Sequence, residues 1–237
     1  MSSGSTMSLQ ESPADLHDPS AGAQSPAIDP EVSVIVPTIN ESENLPELLK
    51  RITAALGSTP FEVLIVDDNS KDATPAVCAQ LATQYPLKLM VRTKPANGLS
   101  GAVLHGMAAA RGTYLCVMDA DLQHPPEKLP ELLAMLRSGE ADFVLGSRYM
   151  PGGSTETEWG MFRKMNSRFA TFLARPFAGK TTDPMAGFFA LKRQTYESAQ
   201  NLTPLGYKIA LELMCKCRVK NVREIPIHFA MRLKGQS

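Results

Sequence analysis

The chain has 237 residues, of which 43% are hydrophobic and 20% charged, a composition that predicts one domain, or at most two, around a substantial core. Its formal net charge is zero, but residues 1–31 contain five acidic residues and no Lys or Arg, so the rest of the chain carries 24 basic and 19 acidic residues. That excess favours an anionic ligand or surface and is too small to indicate nucleic acid as a partner.

The first predicted feature along the chain is a disordered tail over residues 1–31, which are rich in Ser, Pro, Ala and Gly and lack the apolar core of a signal peptide. No run of 18 or more apolar residues follows, so we expect no helix that spans a bilayer. The four cysteines do not have the spacing of zinc ligands, and we interpret them as buried thiols in a reducing compartment.

After the tail, apolar strands alternate with helices. The first helix is expected to open at Asn40, which has capping-box spacing to Glu43, and to continue with an apolar stripe of Leu and Ile. Further helices are expected from about residue 72, over residues 98–111 and from residue 126. This alternation predicts an α/β fold with a mostly parallel, doubly wound central sheet. The predicted strands cover residues 32–36, 61–66, 87–91, 114–117 and 143–145.

Polar residues cluster where the predicted strands end, and the ligands of such sheets bind at the carboxyl ends of the strands. The first strand is not followed by G-x-G-x-x-G, and the sequence has no G-x-x-x-x-G-K-[ST] motif, which disfavours a dinucleotide oxidoreductase and a P-loop NTPase. The clusters are Pro37 with Glu41, Asp67 with Asp68, Asp119 and Asp121 with Gln123, and Ser147 with Arg148.

The third cluster favours a metal site. Asp119, Asp121 and Gln123 would share one face if the extended geometry of the strand continues beyond it. Two neighbouring carboxylates repel each other unless a proton or a cation lies between them, and at pH 7 a hard divalent ion is favoured. An EF-hand is excluded because His124 and Pro130 occupy the positions that need Gly and a carboxylate. A phosphatase with an aspartyl nucleophile and a solvated strand end without function remain alternatives.

The second cluster favours a nucleoside. Asp67 and Asp68 can accept hydrogen bonds from a nucleobase or a ribose, whereas they would repel phosphate. A metal held at Asp121 and Gln123 would instead bridge a diphosphate and neutralise its charge as it leaves. The two sites together suggest a nucleotide-diphosphate donor. The alternative for residues 67–70 is an N-cap turn without a ligand.

Five motifs follow one another along the chain: VIVPTINE at 34–41, VDDNS at 66–70, DADLQHPPE at 119–127, GSRY at 146–149 and DPMAGFF at 183–189. In this order they resemble the inverting family 2 glycosyltransferases and, more narrowly, the dolichol- or polyprenol-phosphate mannosyltransferases. The resemblance covers about residues 32–237 and implies a GT-A fold, a Rossmann-like fold of nucleotide-diphospho-sugar transferases. It also implies a GDP-mannose donor, a Mg²⁺ or Mn²⁺ ion and a dolichyl or polyprenyl phosphate acceptor.

The resemblance also assigns roles to individual residues. It divides the domain into a nucleotide-sugar and metal half, residues 32–150, and an acceptor half, residues 151–237. Ile39 stands where the family usually has Tyr, and Ala186 stands where it usually has Ser. The implied donor-binding residues are Pro37, Ile39, Glu41, Val66, Asp68, Asp119, Ala120, Asp121 and Arg148. The implied catalytic residues are Asp119, Asp121 and Arg148, the implied metal ligands are Asp121 and Gln123, and the implied acceptor-phosphate residues are Arg163, Ser167 and Arg232.

The segment 159–180 contains five Lys or Arg residues and no acidic residue, and its Phe and Met residues recur at helical spacing. This pattern predicts a basic amphipathic helix that lies in a membrane interface. An ordinary helix that buries its apolar stripe in the core is the alternative. With a lipid acceptor implied, we expect a peripheral protein on the cytoplasmic side of a membrane, with a membrane-anchoring subunit as a possible partner.

The expected mechanism follows from the nucleophile. A phosphate monoester has a second pKa of about 6, so it is largely dianionic at pH 7. Transfer to it therefore needs no general base, and we interpret His105 and His124 as structural. Three alternatives remain: a sibling enzyme that transfers glucose or an aminoarabinose derivative to the lipid phosphate, a phosphatase, and a non-catalytic subunit that binds nucleotide sugar.

Overall fold

The computed structural model describes residues 29–155, 181–203, 208–217 and 219–231. Residues 1–28, which make up most of the predicted tail, lie outside these ranges. The first part contains β1 (Val32–Thr38), α1 (Leu45–Leu56), β2 (Phe61–Asp67), α2 (Thr74–Leu81), β3 (Leu87–Val91), α3 (Gly98–Ala109), β4 (Tyr114–Val117), α4 (Leu129–Arg137) and β5 (Phe143–Ser147). The second part contains β6 (Ser154–Thr155), β7 (Phe189–Lys192), α5 (Arg193–Glu197), α6 (Ile209–Lys216), β8 (Val222–Pro226) and β9 (His228–Phe229).

Seven strands form one sheet in the order β3-β2-β1-β4-β7-β5-β8. All neighbouring strands are parallel except β7, which is antiparallel to both β4 and β5. The prediction of an α/β fold with a mostly parallel central sheet is therefore confirmed. The sheet contains strands from both predicted halves of the domain, and β6 pairs separately with β9.

The apolar runs of the sequence become strands because both faces of the sheet are covered. Every residue of β1 is buried, as expected for a central parallel strand with helices on each side. One layer of the core packs α1 and α4 on the sheet, and the predicted stripe of α1 is fully buried in it. The other layer packs α3 and α6 against the opposite face, around the stacked rings of Phe143 and Phe189.

The predicted capping box is wrong. Helix α1 begins at Leu45, and Asn40 lies before it with a positive φ of 54°. The Asn40 side chain accepts a hydrogen bond from the backbone N–H of Lys71, 2.8 Å away, instead of capping its own helix. The sequence spacing was correct for a cap, but a contact with the next loop uses the same oxygen.

The assumption of extended geometry after β4 is also wrong. The strand ends at Val117, and Leu122 has a positive φ of 63°, so residues 119–123 form a turn. A single 3-10 turn, Pro126–Lys128, then leads into α4. Side chains at alternate positions of this segment consequently do not share a strand face.

Two further expectations concern the cysteines and membrane-spanning helices. All four cysteines are free thiols, and burial raises the pKa of Cys116 to about 12, but Cys215 is exposed, contrary to prediction. Within the ranges that the structure describes, no helix is both long and apolar enough to cross a bilayer.

Candidate active site

A cavity of about 270 Å³ opens where β1, β2 and β4 end, next to the start of α3. This is the edge of a parallel sheet at which ligands bind in doubly wound folds. Four of its lining side chains are carboxylates, so the cavity can hold hydrogen-bond donors or a cation. The lining residues are Pro37, Thr38, Ile39, Glu41, Asp68, Leu99, Ala102, Asp119, Ala120 and Asp121.

The loop after β1 is hydrogen-bonded to the loop after β2, and both loops contribute residues to the cavity. Asn40 and Asn69 adopt positive φ angles in these loops, a conformation that Asn tolerates better than most residues. Because four backbone N–H groups are used across the gap, the positions of Ile39 and Glu41 are fixed relative to Asp68. The four bonds run from Asn40 N to Ser70 Oγ (2.7 Å), Glu41 N to Thr74 Oγ1 (3.0 Å), Ser42 N to Asp72 Oδ2 (3.2 Å) and Lys71 N to Asn40 Oδ1 (2.8 Å).

The two adjacent aspartates of β2 have different surroundings. Asp67 is fully buried and accepts hydrogen bonds from the backbone N–H and the hydroxyl of Ser70, so it closes the turn. The interpretation of both carboxylates as nucleoside acceptors is therefore wrong for Asp67. Asp68 lines the cavity, and Arg92 holds its two oxygens at 2.7 Å from Nε and 3.2 Å from Nη2.

Arg92 is a site residue that sequence reasoning missed. The residue follows β3 directly. Its Nη2 also donates to the carbonyl oxygen of Ala96, which precedes α3, and to that of Gly98, the first residue of α3. The side chains of Arg92 and Asp68 are only 10% and 15% exposed. The guanidinium therefore fixes the orientation of the Asp68 carboxylate, since a planar fork matches two oxygens.

Local hydrogen bonds define the turn that carries Asp119 and Asp121. The Asp119 N–H donates to His124 Nδ1 over 3.2 Å, and the Gln123 N–H donates to Asp121 Oδ1 over 3.1 Å. The Gln123 amide nitrogen donates to the carbonyl oxygen of Ala230, 3.1 Å away. The two aspartates line the cavity, whereas Gln123 lies outside its lining.

His124 is a buried neutral ring. It stacks on Phe188 with 5.5 Å between the ring centroids and meets the edge of Phe229 at 5.2 Å. Burial lowers the pKa of His124 to about 4, although the Asp121 carboxylate opposes the shift. Because Nδ1 accepts the Asp119 N–H, the ring proton of the neutral form lies on Nε2. These contacts agree with a structural role for His124.

Arg148 follows the body of β5 and pairs with Asp183. Its Nε lies 2.8 Å from Asp183 Oδ2, and its Nη2 lies 3.1 Å from Oδ1. The guanidinium also lies over the rings of Tyr149 and Phe229, at 5.3 Å and 4.9 Å from their centroids. Burial opposes the charge, but Asp183 together with Tyr149 and Asp119 raises the pKa of Arg148 above its ordinary value.

The structure brings many, but not all, of the predicted site residues together. Seven predicted donor residues line the one cavity, together with Thr38, Leu99 and Ala102, which were not predicted. Val66 is buried inside β2, and neither Gln123 nor Arg148 is part of the lining. Arg163, Ser167, Arg232 and the segment 159–180 lie outside the described residues. The seven predicted residues in the lining are Pro37, Ile39, Glu41, Asp68, Asp119, Ala120 and Asp121.

The donor set of the cavity fits a hard divalent cation. Asp119 and Asp121 offer carboxylate oxygens, which are the ligands that Mg²⁺ and Mn²⁺ prefer. Among the described residues, no group of three or more His, Cys, Asp and Glu side chains is arranged to enclose an ion. A site of one or two carboxylates is typical of ions that complete their coordination with water and substrate phosphates.

A mostly parallel α/β sheet with a carboxylate-lined cavity at its strand ends agrees with the GT-A glycosyltransferase fold that the sequence motifs predict. Residues 33–199 match the model of the family described as "Glycosyl transferase family 2". The chain belongs to this family. The prediction from the five sequence motifs is thereby confirmed.

The relatives include dolichol-phosphate mannosyltransferases. The chain is 43% identical over 209 residues to one from Pyrococcus furiosus, an alignment that covers 87% of this chain and 58% of that protein. It is 39% identical over 229 residues to one from Mycosarcoma maydis, with 92% and 77% covered. It is also 39% identical over 218 residues to one from Saccharomyces cerevisiae, with 87% and 80% covered.

Solved structures share the fold at much lower identity. Glucosyl-3-phosphoglycerate synthase from Mycobacterium tuberculosis is 18% identical, with a TM-score of 0.65 and with 88% of this chain and 73% of that chain covered. The same enzyme in complex with Mn²⁺, UDP-glucose and glycerol 3-phosphate has a TM-score of 0.63 with the same identity and coverage. At this identity, the likeness establishes the fold alone.

Proposed function

We propose that the chain transfers mannose from GDP-mannose to a dolichyl or polyprenyl phosphate with inversion at the sugar. The observation that carries this proposal is the carboxylate-lined cavity at the strand ends, in a chain 39–43% identical to dolichol-phosphate mannosyltransferases over most of its length. Four carboxylates at one cavity suit a ligand that combines a hydrogen-bonding nucleoside with a cation-bound diphosphate.

The nucleoside is proposed to bind between the loops after β1 and β2. Asp68 and Glu41 accept hydrogen bonds from the base and the ribose, which is supported by the bonds that hold both carboxylates. Arg92 orients Asp68, and the Asn44 amide donates to Glu41 Oε2 over 2.6 Å. Ile39, which is 58% exposed and lines the cavity, offers an apolar surface to one face of the nucleoside.

The diphosphate is proposed to bind at Asp119 and Asp121 through Mg²⁺ or Mn²⁺. Such an ion, when bound, neutralises the charge that develops on the departing diphosphate. Gln123 is proposed as a further ligand through its amide oxygen, because the amide nitrogen already donates to Ala230. Local hydrogen bonds close the turn that holds these residues, and the bond from the Gln123 N–H orients the Asp121 carboxylate before the donor binds.

The acceptor phosphate is proposed as the nucleophile, and no side chain of the protein is needed to deprotonate it. One phosphate oxygen attacks the anomeric carbon on the face opposite the diphosphate, and the bond from that carbon to the diphosphate oxygen breaks, so the sugar inverts. The dianion carries no proton that must be removed at pH 7. The buried His124, whose pKa is lowered to about 4, agrees with this mechanism because its Nδ1 is already used by Asp119.

The acceptor and the membrane are proposed to meet the second half of the chain. Arg163, Ser167 and Arg232 position the acceptor phosphate, and the segment 159–180 lies on the cytoplasmic surface of the membrane. The five cations of that segment and its lack of acidic residues support this assignment. A membrane-anchoring subunit is a further proposed partner.

The test is a transfer assay with the purified chain in detergent. Radiolabelled GDP-mannose, Mn²⁺ and a short polyprenyl phosphate should give a labelled lipid product, and Asp121→Asn should abolish it. UDP-glucose is offered in a parallel reaction. Transfer of glucose but not mannose would replace the proposed sugar, and phosphate release from a simple ester without lipid would identify a phosphatase. Binding of GDP-mannose without any turnover would point to a non-catalytic subunit.

A further inference from the structure

A hydrogen-bond cluster centred on Glu224 holds the segment that pairs with Arg148, and donor binding does not explain it. Glu224 lies in β8, in register with Leu145 of β5. Its two carboxylate oxygens accept the Thr182 N–H at 2.8 and 2.9 Å, the Asp183 N–H at 3.0 Å and the Thr182 hydroxyl at 3.0 Å. Hydrogen bonds to a carboxylate are stronger than those between neutral groups, so this cluster holds two consecutive residues firmly.

The residues that Glu224 holds also hold Arg148. The side chain of Asp183 is 3% exposed, and each of its two carboxylate oxygens accepts a hydrogen bond from the Arg148 guanidinium. The Thr182 hydroxyl lies 2.6 Å from the hydroxyl of Ser147, the residue before Arg148. The end of β5 is therefore attached to the 182–183 segment by a side chain at each of two successive positions.

Arg148 is in turn linked to the turn that carries Asp119. The Phe229 ring lies against both Arg148 and His124, and His124 accepts the Asp119 N–H. A displacement of Arg148 would therefore disturb the turn that carries Asp119, where the diphosphate is proposed to bind.

We propose that Glu224 is a positioning residue that acts through Thr182 and Asp183 to hold Arg148, a predicted catalytic residue, at the end of β5, where Phe229 and His124 join it to the turn that carries Asp119. This inference rests on the proposed function. Oε1 accepts the N–H groups of both Thr182 and Asp183, and Oε2 accepts the Thr182 hydroxyl and shares the Thr182 N–H. Glutamine has the same shape, but its NH₂ group would face the Thr182 or Asp183 N–H and could not accept from it.

The test compares Glu224→Gln with Glu62→Gln. Glu62 is a matched control because it is a buried strand glutamate that accepts a hydroxyl, from Ser33, and a backbone N–H, from Arg111, at the opposite end of the sheet. We expect Glu224→Gln to lower kcat for mannosyl transfer about tenfold to a hundredfold, as the loss of such bonds allows. KM for the donor should change less than about twofold, and Glu62→Gln should leave kcat unchanged.

A double-mutant cycle separates positioning from general destabilisation. In an Arg148→Lys background, where the guanidinium fork is absent, Glu224→Gln should lower kcat by less than about twofold. If the full loss persists in that background, or if kcat is unchanged in the single variant, the inference is overturned. Thr182→Val, which removes only one hydroxyl from the cluster, replaces Glu224→Gln if that variant does not fold, with the same expected direction.

A spectroscopic measurement keeps the inference separate from the proposed function. The Nε–H resonance of Arg148, assigned by its loss in Arg148→Lys, reports the bond to Asp183 whether or not the chain turns over. It should shift or broaden in Glu224→Gln and stay in place in Glu62→Gln. If the wild type transfers no mannose, the proposed function fails, and this resonance still decides whether Glu224 positions Arg148. An unchanged resonance overturns the inference.

Discussion

Replacing Arg92 with Lys should weaken the binding of a nucleoside diphosphate by roughly 1–2 kcal/mol, which is about a five- to thirtyfold higher Kd. Arg92 makes two contacts with Asp68, at 2.7 and 3.2 Å, and both side chains are at most 15% exposed. The pair should therefore contribute more free energy than an exposed ion pair, which contributes about 0–1 kcal/mol. Lysine keeps the charge but loses the fork, so Asp68 is no longer held in one orientation.

The assay is calorimetric titration of GDP into the wild type and the variant, with Mn²⁺ present. Arg111→Lys is the control, because Arg111 also pairs with a carboxylate, Glu62, at the other end of the sheet, at 3.2 Å, although its side chain is 55% exposed. The control should lose some stability but bind GDP as the wild type does. An unchanged Kd in Arg92→Lys, or an equal loss in Arg111→Lys, would refute the reasoning that Arg92 acts through Asp68.

Three further predictions test other parts of the site. Asp121→Ala should abolish Mn²⁺-dependent donor binding while the melting temperature changes little; retained metal-dependent binding in titration calorimetry would contradict this. The pKa of His124 is about 4 in the fold and 6.5 when unperturbed, so the unfolded state takes up the proton first. The contribution of neutral His124 to the free energy of unfolding should therefore be fully present above about pH 6.5 and fall by ~3 kcal/mol towards pH 4. Denaturant titrations of His124→Gln should not show this loss. Arg163→Ala or Arg232→Ala should reduce use of the lipid phosphate about ten- to a hundredfold without a matching loss of GDP binding, and a parallel loss of both would assign these arginines to the donor.

The strands and the apolar stripe of α1 were predictable because buried positions are occupied by apolar residues, which form a recognisable pattern in the sequence. A central parallel strand is apolar at nearly every position, and β1, β2 and β5 are buried along almost their whole length. The start of α1 was not predictable in the same way. Asn40 satisfies the spacing of a helix cap, yet its oxygen bonds to Lys71 in another loop.

Within the site, the residues on strand ends were predictable and the residues that orient them were not. Asp68, Asp119 and Asp121 lie within three residues of the end of an apolar run, so the sequence predicts their position at the sheet edge. The pairs that hold the site join residues far apart in sequence, 24 positions for Arg92 with Asp68 and 42 for Glu224 with Thr182. No local pattern encodes such contacts, because they depend on how the strands are ordered.

The antiparallel strand β7 has a consequence for the order of folding. Strands β1 to β4 are contiguous in the sheet, and among the strands that the structure describes, β5 and β8 are hydrogen-bonded to this block only through β7. During synthesis, the edge of β4 therefore stays open until residues 189–192 have left the ribosome. An unpaired, apolar strand edge is prone to pair with other chains. We expect chains truncated before residue 189 to aggregate, even though they retain all ten residues that line the cavity.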